Sequence, residues 1–95
     1  MRYWWDLNKA DTNFRDHRVR FEDAITALED PNRLEDADTR QDYGEDRDIA
    51  IGMAQGKLLH VTFITNEDND EPACRIISAR EAERHEANRC YTRSD

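Results

Sequence analysis

Four side chains of this sequence have the means for proton transfer and anion binding: Lys9, His17, Arg75 and Arg80. Imidazole is the side chain whose ordinary pKa lies near neutrality, so His17, flanked by Arg15 and Arg18, is suited to giving or taking a proton. Arg75 and Arg80 bracket Ile76, Ile77 and Ser78 in the run RIISAR. A guanidinium presents a planar fork of donors that meets two oxygens of a phosphate at once. Each residue also has a plainer reading. His17 packs or caps where two helices meet, the arginines pair with an acid-rich surface, and Lys9 is a solvated helix residue.

These groups need elements to position them. Asp6 ahead of LNKADTNFRD predicts a capped helix over about 7–16. Phe21, Ala24, Ile25 and Leu28 recur at helical spacing within 19–29 and predict a second, closed by Asp30-Pro31 because proline disfavours helical geometry in the residue before it. A short edge strand around Leu34 and an acidic loop follow. DRDIAIGMAQGKLLHVTFIT then alternates as a hairpin turning near Gln55-Gly56. NEDNDE turns the chain again, and ACRIIS supplies another strand. Ser78 and Glu81 have the spacing of a capping box, which predicts that the last helix starts at Ser78 with Arg80 in its first turn. Unpaired N–H groups there would favour an anion. The expectation is an α+β fold: two N-terminal helices, a three- to four-stranded antiparallel sheet, and one C-terminal helix.

A chain of 95 residues without repeat or linker suggests a single domain, 1–95. With 37% hydrophobic and 38% charged residues its core must be lean. It has no apolar run of membrane-spanning length, and MRYWWDLNKAD lacks the apolar region of a signal peptide, so the expectation is a soluble cytoplasmic protein. Cys74 and Cys90 read as free thiols. They form no close pair with each other or with His85, so no metal site is expected. Three glycines build no phosphate-cradling loop, and no cofactor is implied.

The net charge of −8 opposes binding to a polyanion, but it is unevenly spread. Residues 22–48 hold eleven acids against three arginines, whereas residues 1–20 and 75–93 each hold five bases against three acids. If the two ends of the chain meet, a locally positive, arginine-rich face sits on a negative body. The aspartate surplus then serves as a solvated, salt-adapted surface or meets a basic partner.

Several further signposts stand in order: Trp5-Asp6, Lys9-Ala10, Asn13, His17, Val19, Phe21, Ala24, Asp30-Pro31, Gly44-Glu45, Arg47, and Arg75 to Arg80. Together, in register over roughly 3–86, they resemble the BrnT family of toxins. The resemblance implies a RelE-like fold and an endoribonuclease toxin of a type II toxin-antitoxin pair that inhibits translation. It also implies a hetero-oligomer with a BrnA-like ribbon-helix-helix antitoxin, which would supply the only link to DNA. One departure stands out. Where the family has Lys-His-Gly, this chain has Asp16-His17-Arg18, and an acid beside the histidine favours the imidazolium.

Metal-independent RNA cleavage requires a base for the 2′-hydroxyl, an acid for the leaving 5′-oxygen and cations for the phosphorane. His17 fits one of the first two roles, and Arg75, Arg80 and Lys9 fit the others, so these four are the catalytic assignment. Trp5, Arg47 and Tyr43 are assigned to RNA binding, Arg47 as a third cation on the hairpin and the aromatics as stacking faces. Of the adjacent Trp4 and Trp5, one is expected in the core and the other outside it. Glu45 is either a base, an orienting group for an arginine, or a plain surface acid. His60, alternating with apolar residues, reads as structural. A second class of function fits the same residues: a catalytically weakened module that binds a ribbon-helix-helix partner and modulates its DNA binding.

Overall fold

The computed structural model describes residues 1–38, 46–68 and 70–92, without the side chains of 67, 68 and 90–92. The assignments to Tyr43 and Glu45, and the thiol of Cys90, lie outside the described residues. In chain order the elements are β1 (Arg2–Trp4), α1 (Leu7–His17), α2 (Phe21–Leu28), β2 (Leu34–Ala37), β3 (Asp48–Ala54), β4 (Lys57–Asp68), β5 (Glu71–Glu81) and α3 (Arg84–Thr92). The strands form a five-stranded sheet in the order β1-β5-β4-β3-β2.

The α+β class and the three helices are as the sequence suggested, but the sheet is mixed and larger. β1 pairs parallel to β5, with Arg2, Tyr3 and Trp4 opposite Ala73, Cys74 and Arg75. Three residues give no periodicity to read, and a parallel partner some seventy residues away is invisible locally. The hairpin turn falls on Gln55 and Gly56, whose φ values of 53° and 78° match the twist that two-residue hairpins need.

β5 departs further from expectation. Its pairing with β4 continues through Ser78, Arg80 and Glu81, opposite Thr62, His60 and Leu59. The helix-forming run SARE is therefore strand, and the predicted Ser78–Glu81 capping box does not form; a full ladder of backbone bonds outweighs local propensity. α3 begins at Arg84 instead. There the Glu86 carboxylate accepts from the Glu83 N–H at 2.7 Å, the reciprocal half of a capping box, five residues beyond its predicted place.

α1 and α2 cover one face of the sheet, where Phe21, Ala24, Ala27, Ala50, Val61, Phe63, Ile76 and Ala79 form the core. Contact there is close: a Cβ on Gly52 would collide with the carbonyl oxygen of Ala27. Two polar side chains finish the strand edges. Asp30, at the end of α2, accepts from the Met53 N–H at 2.8 Å and from the Asn32 N–H at 2.9 Å. These backbone hydrogen bonds hold its carboxyl below the ordinary carboxylate range. Asn13 does the same for β5 beyond the end of β1. Its amide donates to Ala79 O (2.8 Å) and Val19 O (3.0 Å) and accepts from the Ala79 N–H (3.0 Å). Asn13 thus occupies the place of a missing strand.

Candidate active site

Asp6 caps α1 as expected, accepting from the Asn8 N–H at 2.8 Å and the Lys9 N–H at 3.3 Å. Because Asn13 is bound to the β5 edge, Lys9 and His17, four residues either side of it, fall on the same face of α1. Both line a cleft of about 360 Å³ together with Ile77 and Ser78 of β5 and with Asp6, Thr12 and Asp16. α1 ends at Arg18, whose φ of 59° is left-handed. Glycine adopts that conformation without strain, whereas an arginine there carries a backbone cost.

Arg75 and Arg80 belong to the face of the sheet opposite α1 and α2. In β5, Ile76 faces Phe63 and Ser78 faces Thr62, so Ile77 is an extra residue. Cys74, Ile76 and Ala79 enter the core, and the residues between them turn outward. Arg75 pairs across from Ile64 and Arg80 from His60, four residues apart on β4 and therefore on one side. The guanidinium of Arg75 lies 5.5 Å from the ring centre of Trp4, in cation–π contact.

Arg80 meets the last helix. Its Nη1 and Nη2 donate to Oε1 and Oε2 of Glu86, both at 2.8 Å, and His60 Nε2 stands 3.5 Å from the same carboxylate. Burial alone would raise the Glu86 pKa. The hydrogen bonds from Arg80 and the Glu83 N–H, with the charges of His60 and Arg80, outweigh it and hold the carboxyl at about 2.

The fold brings Lys9 and His17 into one cleft with Ser78, and sets Arg75 and Arg80 on either side of Ser78 along β5. Arg47 is not in this group. It immediately precedes β3, two strands away, where its carbonyl accepts from the Asp38 N–H at 2.8 Å. Trp5 is half-buried and packs edge-on to Phe21, ring centres 5.7 Å apart, so its ring serves the core. The exposed indole is Trp4, at 47%. Burial pushes the Cys74 thiol up to about 11, which keeps it protonated and unreactive at neutral pH.

A family model, the ribonuclease toxin BrnT of type II toxin-antitoxin systems, matches residues 5–86. The chain belongs to the BrnT family. At the family level this makes it a ribonuclease toxin with an antitoxin partner. No curated protein matches the chain. The BrnT signposts now divide by place: Asn13 and Asp30 terminate strand edges, Val19, Phe21 and Ala24 fill the core, Lys9 and His17 line the cleft with Ser78, and Arg75 and Arg80 lie outside that cleft, against Trp4 and Glu86. Among the described residues no helix is long and apolar enough to cross a membrane.

Sequence reasoning missed Ser78 as a cleft residue, Trp4 as the exposed ring, and the His60–Glu86–Arg80 group. Ser78 and Glu86 were within reach of the sequence only had β5 been extended to Glu81. The local partner of Glu86 is the Glu83 N–H; the Arg80 and His60 contacts lie on two strands and leave no local signal.

Proposed function

We propose that this BrnT-family chain is a metal-independent endoribonuclease that inhibits translation and is neutralised in a hetero-oligomer by a BrnA-like ribbon-helix-helix antitoxin. The observation that carries the proposal is the cleft that Lys9 and His17 share with Ser78; Arg75 and Arg80 do not line it but stand on the outer face of β5, before and after Ser78 along the strand. A phosphodiester seated over Ser78 would have an imidazole on one side for proton transfer and guanidinium groups on the other for phosphorane charge. The exposed Trp4 ring beside Arg75 offers a face on which a neighbouring base stacks. Contact with DNA would be indirect, through the antitoxin.

Two tests bear on it. Purified protein incubated with RNA and a chelator should cleave it, and a His17→Ala, Arg80→Ala double variant should not. Retained growth arrest on expressing that double variant would remove the catalytic assignment. A neighbouring reading frame for a small ribbon-helix-helix protein supports the partner.

A second reading is favoured by Asp16 in the cleft lining and by the pairing of Arg80 with Glu86. In that reading the chain is a catalytically weakened module that binds the antitoxin and modulates its DNA binding. RNA left intact by wild-type protein, together with antitoxin binding, would decide for it.

A further inference from the structure

α3 is fastened to the outer sheet face by charge. Among its described side chains only Glu86 is buried, while Arg84, His85, Asn88 and Arg89 are exposed. A cavity of about 260 Å³, lined in part by Leu34, Ile49, Ile51 and His60, separates it from the strands beneath. Among the described residues ion pairs tether it: the forked Arg80–Glu86 pair, with His60 Nε2 3.5 Å from the same carboxylate, and Arg89 Nη2 to Asp36 Oδ2 at 3.2 Å in the open. Glu83 adds a third carboxylate, 3.8 Å from Arg80.

The Glu86 carboxylate meets the Arg80 guanidinium two oxygens to two nitrogens, the geometry a phosphate adopts on arginine. A helix whose buried side chain, among those described, is that carboxylate is held at this end by the pair, and an anion that takes the guanidinium removes that hold.

We infer that Glu86 is an internal competitor for the phosphate that Arg80 binds, and that α3 is a lid closed over Arg80 by this carboxylate. The inference rests on the proposed function in taking the competing anion to be an RNA phosphate. Substrate entry and lid opening are then one exchange: the phosphate replaces Glu86 on Arg80, and α3 lifts from β3 and β4.

The test uses the full chain and a labelled single-stranded RNA whose 2′-positions are methylated, so that it binds without being cut. Glu86→Gln should bind it about tenfold more tightly, as expected when a closed state holding about nine-tenths of the molecules is released. Amide exchange over 84–89 should accelerate, and adding Arg80→Ala should abolish the gain. Unchanged affinity or unchanged exchange in Glu86→Gln would overturn the lid. Should Glu86→Gln fail to fold, Asp36→Asn loosens the exposed tether without touching Arg80; a two- to threefold gain with faster exchange is expected, and no gain overturns the inference. Unmodified RNA separates the two ideas. Tighter binding in Glu86→Gln with no cleavage by any variant supports the lid and removes the nuclease. Cleavage by wild type with no gain in Glu86→Gln supports the nuclease and removes the lid.

Discussion

Arg75 and Arg80 face the same side of β5 although five residues separate them, and the extra residue Ile77 is the reason. In a regular strand an odd separation sends two side chains to opposite faces. The bulge restores the match, placing both guanidinium groups on the outer face while Ile76 and Ala79 both reach the core. Replacing either arginine by alanine should lower kcat/KM for RNA cleavage by about 10- to 100-fold, with little loss of stability for Arg75. Deleting Ile77 should close the bulge and leave the two arginines four residues apart, still on the outer face; a thermal melt should show a folded protein that has lost the packing of one buried isoleucine, about 2–5 kcal/mol.

His17 and Asp16 line the cleft with Lys9. His17→Ala should reduce cleavage by about 10²- to 10³-fold while leaving the fold intact, because the side chain is exposed. Asp16→Lys, which restores the family's residue beside the histidine, should raise cleavage several-fold by removing a negative charge from the phosphate's approach. Initial rates on one RNA at fixed ionic strength would measure both. No gain from Asp16→Lys would mean that the acid does not restrain activity.

Asn13 makes three buried hydrogen bonds that join α1 to β5 and to Val19 in the link before α2. Asn13→Ala leaves the Ala79 N–H and C=O unpaired in a dry place and should cost about 2–4 kcal/mol in urea unfolding. Asn13→Asp should be nearly as damaging, because a carboxylate cannot donate to the two carbonyls.

Glu86 makes stability depend on pH in acid. Its folded pKa of about 2 lies below the ordinary 4.5, so its contribution is complete above pH 4.5 and is lost as pH falls towards 2. Allowing for the partial exposure of Arg80, about 2 kcal/mol should disappear across that window. Denaturant titrations at several pH values would show it, and Glu86→Gln should have a flatter profile between pH 5 and 2. Equal slopes in the two proteins would refute this.

The sequence by itself determined the two N-terminal helices, the Asp6 cap, the Gln55-Gly56 hairpin and the family, since apolar period, capping residues and turn residues act over a few positions. It also determined the chemistry available: the His17 imidazole and several guanidinium groups near the two ends of the chain. Tertiary structure alone decided that β1 inserts beside β5, that SARE is strand, that Trp4 is outside and Trp5 inside, and that Arg80 meets Glu86. Each of these is settled by a partner far away in sequence, through a backbone ladder, a bulge that resets alternation, or a carboxylate on another element. Local propensity cannot anticipate such a partner, and the hydrogen bonds and packing it supplies outweigh the few tenths of a kcal/mol per residue by which propensity favours one form over another.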